Sequence, residues 1–120
     1  MLNIHSKLKS LEKLIGNTPL VEITCIYNGK EIKIYSKLEY YNYTGSIKDR
    51  MALHIIKKSY ENKELTPNDT IIEATSGNTG ISFSSIGTYL GHKVVIYMPD
   101  WMSDERKKLL RRFGANNNPF

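Results

Sequence analysis

Four stretches of the chain have residue patterns typical of helices, and in two of them hydrophobic residues recur at helical spacing. In residues 46–63, the residues Ile47, Met51, Ala52, Ile55 and Ile56 recur on one face, as in an amphipathic helix. The other three stretches are residues 1–16, residues 81–91 and residues 103–114. The last two stop at Gly91 and Gly114, and a glycine is typical of a helix C-terminus. The pattern therefore predicts four helices.

Strand patterns fill most of the remaining chain. Residues 31–40 alternate between apolar and polar side chains, which indicates a strand with two different faces. Asn28 and Gly29 precede this strand and are a strong signal for a two-residue hairpin turn. The other predicted strands, all rich in β-branched residues, are residues 19–26, 70–75 and 93–99.

The order of these elements predicts an α/β fold. From residue 46 onward, helices and strands alternate, which implies parallel strands joined by right-handed crossovers. After the glycine at position 114, however, the chain reads "ANNNPF", which offers little β-forming sequence. We therefore expect no further strand there, and we hypothesise that "NNNPF" replaces the start of the next strand through truncation or a shifted reading frame.

Composition narrows the class of protein. The 120 residues are enough for one domain with a real core, and no apolar run is long enough to span a membrane. The single cysteine, Cys25, excludes disulfides within the chain, and the three histidines have no partners at metal-ligand spacing. We expect a cytoplasmic protein without a metal. The net charge of +5 also suggests a nucleic-acid binder, but the basic residues near the C-terminus are placed as a helix dipole favours.

Lys48 stands where a structural lysine is disfavoured. We predict that Ser46 caps the helix with Asp49 as its capping-box partner, so that Lys48 lies in the first turn, at the positive end of the helix dipole. Such a position favours the uncharged amine, which is the form that adds to a carbonyl. The alternative is that Lys48 simply extends into solvent.

A second unusual stretch is "EATSGNTGI", residues 73–81. Backbone N–H groups and polar side chains would converge there at a helix N-terminus, and either a carboxylate or a phosphate would fit. The spacing matches neither common nucleotide-binding motif. The alternative is that Ser76 or Asn78 only caps the helix. The polar residues of this loop are Thr75, Ser76, Asn78 and Thr79.

Four motifs together resemble one family. "IGNTPLV" (15–21), "NYTGSIKDR" (42–50), "ATSGNTGI" (74–81) and "MPDWMSDERKKLLRRFGA" (98–115) look like the N-terminal part of the cysteine synthase and cystathionine β-synthase family. These are fold-type II pyridoxal-phosphate enzymes. The resemblance implies a three-layer α/β fold with a parallel sheet, of the tryptophan synthase β-like type. Residues 1–120 would then contribute to both family subdomains, without the C-terminal half.

The resemblance also implies roles for individual residues. Lys48 matches the lysine that forms a Schiff base with pyridoxal 5'-phosphate and later carries the α-proton of the substrate. Thr75, Ser76, Asn78 and Thr79 match the loop that binds the α-carboxylate of an amino-acid substrate, and Asn78 also matches a residue that contacts the cofactor. The family reaction is β-replacement on a serine-derived amino acid, and full-length members are commonly homodimers.

The sequence departs from the family in two ways. Tyr43 stands where a proline usually follows the asparagine, which leaves the donor open. It would be either O-acetylserine, used with sulfide, or cysteine or serine, used to form lanthionine or cystathionine, with sulfide released when cysteine is the donor. The chain is also much shorter than family members and has no second glycine-rich loop for the cofactor phosphate. A non-catalytic relic, or a module that binds an amino acid or a partner protein, is therefore a second hypothesis.

Overall fold

The computed structural model describes residues 3–75 and 77–119. Its helices are α1 (Ile4–Glu12), α2 (Lys48–Glu61), α3 (Asn78–Leu90) and α4 (Asp104–Arg112), with a short 3-10 helix at Glu39–Tyr41. Its strands are β1 (Leu20–Tyr27), β2 (Lys30–Lys37), β3 (Thr70–Ala74), β4 (Lys93–Met98) and β5 (Ala115–Pro119). The longest described helix, α2, has 14 residues, so no described helix could cross a bilayer.

Strands β3, β4 and β5 form a parallel sheet in that order. Helices α3 and α4 pack on the same face of it, because Ile81 of α3 and Leu110 of α4 share one core with the sheet. The other buried members of that core are Val94, Ile96, Met98 and Ala115. This parallel sheet with its packed helices confirms the predicted α/β class.

A second core joins three helices on the far side of α3. It is built from apolar side chains of α1, α2 and α3, which explains the amphipathic patterns of the first two. Leu14, an apolar residue of the predicted 1–16 helix, lies beyond the end of α1 and is exposed. The buried members are Leu8, Leu11, Ile15, Ala52, Leu53, Ile56, Phe83, Ile86 and Leu90.

The expectation that no strand follows residue 114 is wrong. Gly114 has a φ of +86°, which allows the chain to reverse after α4. Ala115 then pairs with Val94, and the ladder continues to Pro119 opposite Met98. Asparagine is a poor β-former, but the free edge of β4 offers backbone partners that outweigh this preference.

Strands β1 and β2 form a separate antiparallel hairpin. Asn28 and Gly29 both have positive φ, as the predicted two-residue turn requires. The predicted second strand was too long, because residues 39–41 form the 3-10 helix instead. Strands β1 and β2 contact each other, but neither contacts any other described helix or strand.

Candidate active site

Lys48 is the first residue of α2, with Ile47 at the N-cap position. The predicted Ser46 cap is therefore displaced by one residue, although the Lys48 N–H does donate to Ser46 Oγ at 3.3 Å. The Lys48 side chain is exposed, and its amine has no hydrogen-bonding or ionic partner in residues 3–75 and 77–119. The predicted position of Lys48 in the first turn of a helix is confirmed, because α2 begins at this residue.

Asp49 does not form the predicted capping box with Ser46. Its carboxylate instead accepts the Thr44 N–H at 2.6 Å and the Thr44 hydroxyl at 2.5 Å. It also accepts the Ser82 hydroxyl at 2.6 Å. The box fails because the turn at Gly45, where φ is +88°, brings Thr44 rather than Ser46 next to the carboxylate.

The second predicted site lies where β3 passes into α3. Thr75 continues the sheet by donating its N–H to Tyr97 O at 2.9 Å, and its hydroxyl accepts the Gly77 N–H at 3.4 Å. Gly77 occupies the N-cap position and Asn78 is the first residue of α3, so Asn78 does not cap the helix. Asn78 is exposed and Thr79 is half-buried. Ser76 lies outside the described residues.

The loop carries groups that can bind an anion. Gly80 and Ile81 donate their N–H groups to Gly77 O, whereas those of Asn78 and Thr79 have no acceptor within the described chain. An α3 of 13 residues adds the positive end of its dipole at this point.

The two predicted sites meet through a buried contact. Ser82 lies one helical turn beyond Asn78, and Asp49 directly follows Lys48. The 2.6 Å hydrogen bond between Ser82 and Asp49 therefore joins the first turn of α2 to the N-terminal half of α3. The structure thus brings Lys48 and Asn78 to neighbouring helix ends.

Arg106 is a residue near the loop that the sequence did not single out. A Cβ placed on Gly77 would lie 3.9 Å from the Arg106 guanidinium, so a cation of α4 lies beside the loop. In the sequence, the basic residues of α4 were explained by the helix dipole, so none of them was considered as a neighbour of the loop. Only the parallel arrangement of β3 and β4, which brings the carboxyl ends of both strands to one edge, places α4 there.

A network of polar side chains supports the segment before Lys48. Arg50 donates to both oxygens of Glu39, at 2.8 and 3.0 Å, and Thr18 donates to Glu39 at 2.7 Å. Hydrogen bonding by Arg50, followed by that of Thr18, lowers the pKa of the Glu39 carboxyl from its ordinary 4.5 to about 2. Asn42 contacts Glu39 as well and accepts the Gly16 N–H at 2.8 Å. These hydrogen bonds join the motif at residues 15–21 to the motif at residues 42–50.

These groups suit one end of pyridoxal phosphate. A primary amine is the side-chain group that condenses with an aldehyde, and the amine of Lys48 is exposed without a described partner. The adjacent loop offers backbone and side-chain donors for a carboxylate. The fold and the site together define a class: an α/β protein with an exposed lysine near a helix N-terminus whose N–H groups could bind an anion.

Comparison with known proteins gives the family. The family model "Pyridoxal-phosphate dependent enzyme" matches residues 11–117, so the chain belongs to this family of enzymes. The match confirms the family resemblance seen in the sequence. The cofactor of this family, pyridoxal phosphate, is the one that the resemblance implied.

Known relatives share this part of their chains. A cysteine synthase of Staphylococcus aureus (strain Mu50) is 42% identical over 106 residues, which cover 88% of this chain and 34% of the relative. A hydrogen sulfide-producing enzyme from Fusobacterium nucleatum is 56% identical with a TM-score of 0.92, over 96% of this chain and 34% of that one. An O-ureido-L-serine synthase is 36% identical with a TM-score of 0.84, over 92% and 34%. The chain spans about a third of the length of these relatives.

Proposed function

We propose that this chain supplies the lysine and the substrate-carboxylate loop of a pyridoxal-phosphate-dependent enzyme. Such an enzyme would replace the β-substituent of a serine-derived amino acid. The observation that carries the proposal is the exposed Lys48, whose amine has no partner in the described part of the chain. The Asp49–Ser82 hydrogen bond joins the start of its helix to the helix that begins at Asn78. Membership of the family and the names of the relatives support it.

Each site residue has a role in this proposal. Lys48 would hold the aldehyde carbon of the cofactor through its amine and later move the α-proton of the substrate. Thr75, Ser76, Asn78 and Thr79 would bind the substrate carboxylate, and Asn78 would also contact the cofactor. When bound, pyridoxal phosphate supplies a ring that withdraws electrons from the α-carbon. Arg106 adds positive charge beside the carboxylate loop.

For the substrate, we propose O-acetylserine with sulfide. The cysteine synthases among the relatives support this assignment. The alternative is a reaction that consumes cysteine and releases sulfide, and the hydrogen sulfide-producing relative favours it. Tyr43, which is 39% exposed in the loop before Lys48, is the residue of this loop that departs from the family pattern and could decide between them.

A second candidate is a module that binds an amino acid without turning it over. The N–H groups of Asn78 and Thr79, which have no acceptor within the described chain, favour it, because they could bind a carboxylate without the lysine. We further propose that residues 1–120 contribute to two subdomains of a longer fold, since the hairpin of β1 and β2 stands apart from the described helices and the parallel sheet. A homodimer and a cytoplasmic location stay predictions from the sequence.

An absorbance titration with pyridoxal phosphate tests the proposal. We expect the 120-residue chain to develop a visible band that survives dialysis, and we expect Lys48→Ala to lose at least about 90% of it, because the alanine has no amine for the aldehyde. Lys30→Ala is the matched control, since Lys30 is also exposed and has no described side-chain partner.

The substrate is then found by adding candidates to the loaded chain. A change of the band with O-acetylserine but not with cysteine would support the proposed donor, and the reverse would support the alternative. If wild type, Lys48→Ala and Lys30→Ala give the same spectrum, the chain does not hold the cofactor through Lys48. Calorimetric binding of free O-acetylserine or cysteine by such a chain would then favour the binding module.

A further inference from the structure

We propose that Asp49 is a positioning residue that fixes Lys48 relative to the carboxylate loop. This inference rests on the proposed function, because it concerns how the lysine of that site is held. Asp49 itself is fully buried, with 0% of its side chain exposed, while Lys48 beside it is exposed. Asp49 therefore acts through the backbone and not on the substrate.

The contacts of Asp49 close a loop around Lys48. One carboxylate oxygen accepts the Thr44 N–H, so the segment from Thr44 to Asp49 is closed into a ring by a single side chain. Inside that ring, Gly45 adopts a φ of +88° and donates its N–H to Asn42 O at 2.9 Å. The backbone that carries Lys48 is thus held at both ends.

The other carboxylate oxygen connects this ring to α3. It accepts the hydroxyl groups of both Thr44 and Ser82, and the two hydroxyl oxygens lie 3.5 Å apart. Ser82 is fully buried, so the contact is shielded from water. Because Asn78 lies one turn before Ser82, any movement of α2 along α3 would change the position of Lys48 relative to Asn78.

A buried carboxylate needs hydrogen-bond partners for its oxygens. No basic side chain pairs with Asp49 in the described part of the chain, and the neighbouring Arg50 is bonded to Glu39. Three hydrogen-bond donors satisfy the two oxygens instead. A geometry that needs all three donors together leaves Thr44, Asp49 and Ser82 little freedom, as positioning requires.

Two variants separate the parts of this network. Asp49→Ala removes every contact of the carboxylate. Asp49→Asn keeps the shape, because its oxygen can still accept the Thr44 N–H while its amide donates to the two hydroxyls, which can act as acceptors. We therefore expect Asp49→Asn to retain most of the positioning and Asp49→Ala to lose it.

The first test needs no cofactor. Hydrogen exchange of the 120-residue chain, followed by peptide mass spectrometry, should show at least about tenfold faster exchange in residues 44–48 of Asp49→Ala. The α1 peptide is the internal control and should not change. Unchanged exchange of residues 44–48 in a folded Asp49→Ala would overturn the proposal, and faster exchange throughout the chain would make Asp49 a general stabilising residue.

The second test follows Lys48 itself. Each protein is treated with pyridoxal phosphate and then with borohydride, and the labelled fractions of the Lys48 and Lys30 peptides are compared. We expect the Lys48 to Lys30 ratio to fall about tenfold in Asp49→Ala and to change less than about threefold in Asp49→Asn. Ser82→Ala, which keeps both Thr44 contacts, should give an intermediate ratio and serves if Asp49→Ala does not fold.

The two tests distinguish failure of this inference from failure of the proposed function. If wild type labels Lys48 no more than Lys30, the proposed function fails for this chain, and the exchange experiment alone decides whether Asp49 holds the ring. If wild type labels Lys48 selectively and the variants do so equally, the function stands and the positioning role of Asp49 is wrong.

Discussion

At the scale of single residues, Glu39 gives the site its clearest dependence on pH. Its pKa of about 2 in the folded chain lies below the ordinary 4.5, so the unfolded chain takes up the proton first as the pH falls. The stabilising effect of Glu39 is therefore complete above about pH 4.5 and is lost as the pH approaches 2.

A Glu39→Gln variant tests this effect, because glutamine keeps the size of the side chain but not its charge. We expect its urea midpoint to lie below that of wild type at pH 6 and the difference to shrink steadily between about pH 4.5 and pH 2. Glu31→Gln, a change at an exposed glutamate of β2, is the control and should differ little from wild type at any pH. A pH-independent difference for Glu39→Gln would mean that shape, not charge, matters.

The sequence predicted some candidate site residues but did not reveal the contact between Asp49 and Ser82, for a physical reason. Lys48 and the loop of residues 75–79 stand at turns that lead into helices, so local pattern and resemblance were enough to select them. Asp49 and Ser82 are 33 positions apart, and no periodicity connects them. The signal that could have suggested them was the run of small polar residues in α3, since serines on a packed helix need buried partners.

At the scale of elements, α3 packs very closely on the parallel sheet. A Cβ on Gly87 would lie 2.7 Å from Val94 Cγ2 and 3.1 Å from Ile71 Cδ1. Alanine normally stabilises a helix by about 1 kcal/mol relative to glycine. Here the overlap should cost about 1–3 kcal/mol, which cancels or exceeds that gain. We therefore expect Gly87→Ala to leave the free energy of unfolding unchanged or to lower it, as measured by urea denaturation.

A double variant identifies the cause of this effect. Val94→Ala removes the methyl group that would collide with the new Cβ, although it also leaves a cavity in the core. The cost of Gly87→Ala together with Val94→Ala should therefore be smaller than the sum of the two single costs, by at least about 0.5 kcal/mol. Additive costs would show that the overlap is relieved elsewhere.

The elements that the sequence predicted are those with a clear local pattern. Strands β3 and β4 and the end of α3 at Gly91 were predicted correctly because β-branched runs and a glycine mark them. The 3-10 helix and β5 were missed. Hydrogen bonds from Asn42 and Thr18 to Glu39 hold residues 39–41 outside the strand. The asparagines of β5 form a strand because their backbone pairs with β4. Both depend on contacts between distant positions.

At the scale of the whole molecule, the hairpin makes the chain extended. The radius of gyration is 17.3 Å, whereas a compact domain of this length has about 14 Å. The hairpin also has unlike faces, because its register puts Ile23 opposite Ile34 on one face and Glu22 opposite Tyr35 on the other. Ile23 and Ile34 are each 48% exposed, so the apolar face is not covered by the described residues.

The exposed apolar face predicts that the isolated chain self-associates, because burying it against a second copy would remove apolar surface from water. Ile34→Lys puts a charge on this face and should weaken association about tenfold or more, measured as the apparent dissociation constant by sedimentation. Ile26→Lys is the matched control: Ile26 is 70% exposed on the opposite, polar face and pairs with Glu31. If both variants weaken association equally, added positive charge alone explains the effect; if neither does, the chain associates through another surface.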